Sequence, residues 1–211
     1  MNVIIFGATG GIGKWAVKHA LLKGYEVTAF VRSLKKISQT DEHLHVVEGS
    51  VEDYEAVKAA LAGQDAVIWC VGIPLKRKYE KMASLDGHRV LLRAMKDAGV
   101  KRIIDWGTPS VPFDGDKKSF VTVFPGIAAT IALTQAKKEM VAIGDLLKAS
   151  DLDWTMVRFM APKDTPYTGR VKVGFGDVKM SLNISREDIG AFMVEQVENT
   201  QYLKSMPIIG S

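Results

Sequence analysis

Short apolar runs alternate along this chain with longer segments in which apolar residues recur every three or four positions. The runs predict strands at residues 2–6, 26–31, 44–48, 66–71, 102–106 and 153–158. Between the first two strands, one helical face carries Ile12, Ala16, Val17, Ala20 and Leu21. Gly24 follows this face, where a helix commonly ends. Such alternation is typical of βαβ units and predicts a parallel sheet with helices packed on it.

The later segments continue the pattern. We predict a helix over residues 54–62, a second that ends at Gly99 and a third within 127–150. After residue 158 turn glycines become frequent, Ser185 is placed to cap a helix, and residues 206–209 resemble a final strand. The predicted fold class is α/β, a Rossmann-type doubly wound parallel sheet. It forms a single domain over 1–211, with a small C-terminal substrate lobe mainly at 159–211.

Composition fits one globular domain, since 47% of the 211 residues are hydrophobic and 25% are charged. There is neither an apolar run of membrane-spanning length nor a basic stretch before the first apolar run, so we expect a cytoplasmic protein. The net charge of +4 suits an anionic small ligand or a solvated surface, and without an aromatic-interleaved basic stripe we expect no nucleic-acid binding. The one cysteine, Cys70, reads as a buried hydrophobe.

The first turn of the chain, "FGATGGIGKW", places Gly7, Gly10 and Gly13 between the first strand and the first helix. A tight turn, close approach to a diphosphate and close packing of helix on strand each exclude a side chain there. The N-terminus of the helix would present free N–H groups and partial positive charge to the diphosphate. We therefore predict dinucleotide binding; the alternative is a glycine-rich turn that holds no ligand.

The end of the second strand indicates which dinucleotide is bound. NAD-binding sheets usually have an acidic residue here that binds the ribose hydroxyls, whereas a 2′-phosphate needs a cation. This chain has Arg32, followed by Ser33, Lys35 and Lys36. A guanidinium can bind phosphate through two parallel hydrogen bonds, so NADP (NADPH) is favoured over NAD. The alternative is that Arg32 is an ordinary solvated residue.

Seven segments carry a family resemblance, in the order "GATGGIG", "VTAFVR", "VVEGSVED", "GQDAVIWCVG", "MKDAGVKRII", "LDWTMVR" and "ISREDIGAFM". Together they resemble the atypical short-chain dehydrogenases/reductases with an NAD(P)H-binding fold. The chain is most similar to the flavin reductase and biliverdin-IXβ reductase group and to bacterial proteins classed as NADH-flavin reductases. Many relatives have Asp where this chain has Ser50, and Pro where it has Phe159.

The resemblance implies a set of cofactor-binding positions. It places the diphosphate on the turn that starts at Gly7, on Thr9, Gly10, Gly11, Ile12 and Gly13. It places the 2′-phosphate on Arg32 and the adenine by Ser50 and Val51. The ribose would lie near Val71, Gly72 and Ile73, and the nicotinamide near Thr108 and residues 159–162, including Phe159 and Met160.

Classical short-chain dehydrogenases use a Tyr-x-x-x-Lys pair on the helix after the fifth strand. The only such pair here, Tyr54 and Lys58, is in the wrong helix, and the segment 127–150 contains no tyrosine. An acceptor that takes hydride and then a proton from water, such as a flavin, a bilin or a quinone, fits this better than an alcohol or ketone. Thr108 and Ser110 are the predicted catalytic residues.

Several other residues have more than one interpretation. Lys137 and Lys138 are helpers or solvated surface, and Asp105 is a strand-end residue in water or a ligand of cofactor or substrate. Residues 107–126 form a long connection. The apolar segment 120–133 overlaps the end of this connection. It is interpreted as an apolar lid for the substrate, as a segment of the core or as a dimer contact.

Several functions lack their motifs. His43 and His45 have no carboxylate or cysteine partner in the sequence pattern, so we expect no metal site. Hydrolase and nucleoside-triphosphatase signatures are absent from the sequence. We predict an NADPH-dependent oxidoreductase acting on a small-molecule substrate with a planar conjugated acceptor, as a monomer or homodimer and without a membrane partner. The alternative is a non-catalytic NAD(P)-binding redox-sensing regulator; an isomerase or epimerase is a third, weaker candidate.

Overall fold

The computed structural model describes residues 1–37, 39–74, 76–119 and 133–211. The strands are β1 Asn2–Phe6, β2 Glu26–Val31, β3 Leu44–Glu48, β4 Ala66–Trp69, β5 Arg102–Gly107, β6 Asp153–Arg158, β7 Pro162–Lys163, β8 Lys172–Gly174, β9 Ile184–Ser185 and β10 Ile208–Gly210. The helices are α1 Gly13–Leu22, α2 Tyr54–Leu61, α3 Ala83–Ala98, α4 Thr134–Lys148 and α5 Arg186–Glu195.

One eight-stranded sheet organises the molecule, in the order β3-β2-β1-β4-β5-β6-β10-β8. Neighbouring strands are parallel throughout, except that β8 runs antiparallel to β10 at one edge. The strand order reverses between β1 and β4, and ligands of open α/β sheets bind at the carboxyl ends of the strands at such a point. The predicted Rossmann-type doubly wound α/β fold is confirmed.

Helices cover both faces of the sheet, because successive strand residues point to opposite sides. Ile4 and Phe6 of β1 pack in the core beneath α2, α3 and α4, whereas Val3 and Ile5 pack beneath α1 and α5. All four side chains are fully buried. The near-continuous apolar runs of the sequence therefore correspond to strands buried on both faces.

The predicted helix limits agree closely with the structure. Gly24, Gly63 and Gly99 follow α1, α2 and α3 with φ of +76°, +73° and +74°, the left-handed conformation of a C-terminal glycine. Ser185 caps α5, since its hydroxyl accepts the N–H of Glu187 at 3.2 Å. The fourth strand ends at Trp69, two residues earlier than predicted. Residues 127–132 of the predicted long helix lie outside the described residues.

The C-terminal part of the chain contributes to the main sheet as well as covering it. Strands β10 and β8 extend the sheet beyond β6, and β7 pairs with β9 in a separate two-stranded sheet. Helix α5 packs closely on α1 because Gly190 has no side chain; a Cβ there would lie 2.8 Å from the backbone nitrogen of Ala16. The assignment of residues 159–211 to a substrate lobe stays a prediction.

None of the helices in the described part of the chain combines the length and the apolar character needed to cross a membrane.

Candidate functional site

The glycines of the β1–α1 turn are required first by the packing of the chain on itself. Gly7 has φ of +75°, and a Cβ on it would lie 2.6 Å from the Cys70 carbonyl that follows β4. A Cβ on Gly13 would lie 2.1 Å from the Gly7 carbonyl oxygen. The N–H of Gly10 donates to the same oxygen at 2.9 Å. This turn can therefore close against β4 only when Gly7 and Gly13 carry no side chain.

The outer side of the same turn is suited to an anion. Helix α1 begins without a capping side chain and without an acidic residue in its first turn. By contrast, Asp53 caps α2, and α5 has both the Ser185 cap and acidic residues in its first turn. The N–H groups of Lys14 and Trp15 donate to the carbonyls of Gly10 and Ile12, but no side chain neutralises the positive end of the α1 dipole, which can attract an anion. Thr9, Gly10, Gly11 and Ile12 are partly or fully exposed along this turn, so the residues present fit a diphosphate.

The adenosine end of the predicted site lies beyond β2 and β3. Arg32 is exposed directly after β2, and among the described residues its guanidinium has no ion-pair partner. Ser50 is exposed after β3, and its hydroxyl accepts the N–H of Glu52 at 3.3 Å. Val51 packs inward, because a Cβ on Gly87 would lie 2.9 Å from its side chain. The surface at this end of the predicted site therefore presents the cationic side chain of Arg32 and the small polar side chain of Ser50.

The predicted ribose contacts follow β4. The Val71 carbonyl accepts the indole N–H of Trp106 at 3.0 Å, which ties the end of β4 to that of β5. Gly72 is exposed, and a Cβ on it would meet nothing within 4 Å. Ile73 is only 8% exposed and packs in the core, so it offers a ligand mainly its main chain.

The predicted nicotinamide end combines two hydroxyls with aromatic side chains. The Thr108 and Ser110 hydroxyls are hydrogen-bonded to each other at 2.7 Å, and Thr108 also contacts the sulfur of Met140 on α4 at 3.3 Å. Phe159 is buried and stacks on Trp106 with ring centroids 5.8 Å apart. Met160, next to it, is partly exposed. Sequence reasoning missed Trp106, a partly exposed indole at the carboxyl edge of the sheet; its only signal was its position directly after the strand-end Asp105.

A buried arginine holds the connection that follows β5. Arg158 at the end of β6 is fully buried, and its Nε donates to the Met206 carbonyl at 2.8 Å. Its Nη1 donates to the Val111 carbonyl at 3.0 Å and to a carboxylate oxygen of Asp116 at 2.7 Å, and Nη2 reaches the other oxygen. The forked pair and the contact with Val111 hold this part of the connection against the end of β6. The predicted lid residues 120–132 lie outside the described residues.

Asp105 forms a buried pair with a histidine. Both Asp105 and His88 are 1% exposed, and His88 Nε2 lies 2.9 Å from a carboxylate oxygen of Asp105. The backbone N–H of Trp106 donates to the other oxygen at 2.7 Å. His88 Nδ1 lies 2.7 Å from the Ser84 carbonyl, which can only accept, so Nδ1 carries a proton. Asp105 therefore has its partners inside the core, and neither interpretation in the sequence analysis anticipated this.

Burial raises the pKa of the neighbouring Cys70 thiol far above its usual value, and the Asp105 carboxylate adds to the effect. A thiol in this state has little thiolate character and is a poor nucleophile. The weak reactivity fits the predicted hydrophobic role of Cys70, but the residue as a whole is partly exposed and not fully buried as predicted.

Two tyrosines lie near helices but are already bonded. The Tyr54 hydroxyl donates to Asp97 between α2 and α3, and Lys58 lies over the Tyr54 ring, away from the predicted site. The Tyr79 hydroxyl donates to Glu139, a fully buried carboxylate on α4 that also accepts the N–H of Leu85 at 3.0 Å. Burial and the Glu139 carboxylate raise the pKa of Tyr79, so this phenol is a weak acid. On α4 itself, Lys138 is exposed and Lys137 partly buried.

The statement that His43 and His45 lack a carboxylate partner is wrong. Glu26 on the adjacent strand β2 lies between them, with its carboxylate oxygens 2.7 Å from His43 Nδ1 and 3.3 Å from His45 Nε2. Parallel pairing of β2 with β3 brings these residues together, which spacing along the chain does not reveal. Hydrogen bonding to Glu26 raises the pKa of His43. Within the described residues, no group of three or more side chains has the arrangement of a metal site.

A cavity of about 450 Å³ lies at the opposite edge of the sheet. Its lining includes Gly99 and Lys101 before β5 and Leu152 before β6. These residues lie at the amino ends of the strands, whereas the predicted dinucleotide site lies at their carboxyl ends. The cavity is therefore separate from that site.

Comparison with known proteins agrees with this geometry. Residues 7–200 match the NAD(P)H-binding family, and the chain belongs to that family. This agrees with the NAD(P)H-binding family that the sequence motifs indicated.

Two curated relatives match about half of the chain. Cinnamoyl-CoA reductase 1 of Arabidopsis thaliana is 32% identical over 113 residues, which are 49% of this chain and 33% of the relative. The photosystem II assembly factor Ycf39 of Trieres chinensis is 31% identical over 106 residues, again 49% of this chain and 33% of the relative. The matched segments thus span about a third of the length of each relative.

Solved structures show the same fold over the full chain. The oxidoreductase ylbE of Lactococcus lactis superposes with a TM-score of 0.81 at 21% identity, covering 100% of this chain and 91% of that one. A short-chain dehydrogenase/reductase of Veillonella parvula in complex with NADP gives a TM-score of 0.77 at 18% identity, covering 100% and 94%.

The close contact in the β1–α1 turn predicts that Gly13→Ala is strongly destabilising. The added Cβ must displace the Gly7 carbonyl, and we expect the free energy of unfolding to fall by about 3 kcal/mol. Gly72→Ala is the matched control, because its Cβ enters open space and should change stability by no more than about 1 kcal/mol. Thermal unfolding of both variants measures the difference. Equal stabilities would contradict the packing described here.

The Asp105–His88 pair predicts opposite outcomes for two substitutions. Asp105→Asn can keep every hydrogen bond, because its oxygen accepts from Trp106 while its amide donates to His88 Nε2. Asp105→Ala leaves both partners buried and unpaired, and we expect it to cost roughly 2–4 kcal/mol in unfolding free energy. Chemical denaturation compares the variants. Loss of stability as large in Asn as in Ala would show that the pair requires the carboxylate.

Proposed function

We propose that this protein is an NADPH-dependent reductase that passes hydride to a planar conjugated acceptor of the flavin, bilin or quinone type. Membership of the NAD(P)H-binding family establishes the cofactor class. The choice of NADPH and the identity of the acceptor are the parts that we propose.

The preference for NADPH rests on Arg32. This exposed guanidinium follows β2, and among the described residues no carboxylate pairs with it. A cation with no partner loses no interaction when it binds phosphate, and its planar fork matches the geometry of that group. A carboxylate at this position, as in NAD-binding sheets, would repel the 2′-phosphate instead.

The observation that carries the acceptor class is the aromatic surface at the carboxyl edge of the sheet. Trp106 is partly exposed, stacks on Phe159 and is fixed by its hydrogen bond to the Val71 carbonyl. A rigid indole favours a flat conjugated ligand, since aromatic rings gain from stacking as well as from burial. Most of the lowering of the activation barrier would then come from holding donor and acceptor together in the right orientation.

The chemistry proposed for this site uses the chain mainly for binding and orientation. NADPH, when bound, supplies a hydride, that is, two electrons and one hydrogen nucleus. Thr108 and Ser110 are proposed to orient the reactants, because a paired hydroxyl can donate one hydrogen bond outward while its neighbour holds it in place. The second hydrogen of the reduced acceptor comes from water as a proton. Tyr79, the tyrosine that contacts α4 through Glu139, does not supply it because its hydroxyl is engaged and weakly acidic.

A second candidate is a non-catalytic regulator that binds NAD(P). The similarity to an assembly factor, Ycf39, favours it, as does the lack of a tyrosine in the segment 127–150. Both candidates bind the same cofactor, so only turnover separates them.

Oxidation of NADPH, followed at its nicotinamide absorbance band, tests the reductase. FMN, biliverdin and a soluble quinone are offered in turn, and we expect turnover with at least one of them. Thr108→Val keeps the shape of the side chain without the hydroxyl and should lower kcat by about tenfold, with NADPH affinity changed little. Tight NADPH binding with no oxidation across the panel would favour the regulator and reject the reductase.

Removal of the Arg32 side chain tests the cofactor preference. Arg32→Ala should weaken NADPH binding by about tenfold or more and leave NADH binding nearly unchanged, since only NADPH has the 2′-phosphate. Lys35→Ala, an exposed cation in the next turn of the chain, is the control and should have little effect. Calorimetric titration of both cofactors gives the comparison. Equal losses for NADPH and NADH would remove the case for a 2′-phosphate site at Arg32.

A further inference from the structure

The side chain of Arg186 lies across the phosphate-binding turn. Arg186 is the first residue of α5, far from Gly11 in sequence. A Cβ placed on Gly11 would meet the Cδ of Arg186 at 3.1 Å and its Nε at 3.2 Å. Gly11 lies in the exposed part of the β1–α1 turn, so the guanidinium is next to the surface that suits a diphosphate.

The present partner of Arg186 is a weak competitor for an anion. Its Nη1 lies 2.8 Å from a carboxylate oxygen of Asp164, a side chain that is 80% exposed, while that of Arg186 is 28% exposed. Ion pairs this open to water contribute little, because solvent screens them and two long side chains lose freedom. A diphosphate with more than one negative charge can replace a single exposed carboxylate.

Arg186 lies in the first turn of α5, a helix start that the Ser185 cap and two acidic residues stabilise in part. The N-terminus of α5 carries partial positive charge, and a cation in the first turn is repelled by it. The two acidic residues of that turn are engaged elsewhere: Glu187 binds Lys18 and His19, and Asp188 accepts the backbone N–H groups of Thr168 and Gly169. An anion beside Gly11 would therefore be attracted by Arg186 together with the N-terminus of α1.

We propose that Arg186 is a cofactor-binding residue, which exchanges Asp164 for the diphosphate of NAD(P)H. Its guanidinium would lie on one side of the diphosphate and the N-terminus of α1 on the other. Arg186 thus recognises the part that NADPH and NADH share, whereas Arg32 recognises the 2′-phosphate. This inference rests on dinucleotide binding in the β1–α1 turn and is independent of the acceptor proposed above.

The test is calorimetric titration of NADPH, NADH and ADP-ribose, each of which contains the diphosphate. Arg186→Gln should weaken all three by about tenfold, because one charge-assisted contact is lost in every complex. Arg32→Ala, in contrast, should weaken only NADPH. Unchanged affinities in Arg186→Gln, or a loss confined to NADPH, would overturn the proposal. Turnover is not measured, so failure of the acceptor panel does not affect this result.

Asp164→Asn separates direct binding from a purely structural role. If Arg186 binds the diphosphate, removing its competitor should leave the three affinities equal or raise them. If the Arg186–Asp164 pair matters only by holding the chain in place, Asp164→Asn should weaken binding as much as Arg186→Gln does, and the proposal fails. Thermal unfolding checks that each variant is folded. Should Arg186→Gln not fold, Arg186→Lys takes its place: a loss of about threefold for all three ligands supports the proposal, and no loss overturns it.

Discussion

The contact of the Gly7 carbonyl with Gly13 is the constraint on which the rest of the site depends. It sets the position at which β1 ends and α1 begins, because any side chain at either glycine would collide with backbone. The turn also packs on the carbonyl of Cys70, so the ends of β1 and β4 lie side by side where the strand order reverses. The uncapped start of α1 then faces the crevice. The packing of the chain and the binding of an anion therefore both require this short segment to carry no large side chains.

The carboxyl edge of the sheet brings together groups of different chemistry in a definite order. Cationic side chains lie where the phosphates are predicted to bind, Arg32 after β2 and Arg186 beside Gly11. An indole and a pair of hydroxyls lie at the other end, near Thr108. The indole is held in place by its hydrogen bond to the Val71 carbonyl. This distribution of charge and aromatic surface suits a long ligand with phosphates at one end and a flat ring at the other.

Much of this fold could be predicted from the sequence because its signals are local. Apolar periodicity indicated β1 to β6, and glycines or Ser185 marked helix ends, all within a few neighbouring residues. The side-chain pairings could not be predicted in the same way. Asp105 pairs with His88 across a strand and a helix, and Arg186 lies over Gly11 from the far end of the chain. Such partners depend on how elements cross in three dimensions, and no spacing rule along the chain encodes them.

Arg158 is a single buried cation that links segments lying far apart in the sequence. Its nitrogens bind the Val111 carbonyl, the Asp116 carboxylate and the Met206 carbonyl. The segment that follows Thr108 and the residues directly before β10 are therefore held by the same side chain. If either segment moved away, the buried guanidinium would lose hydrogen-bond partners, and an unpaired charge in the core is strongly unfavourable. A local opening of the outermost strands would consequently also loosen the segment that follows Thr108.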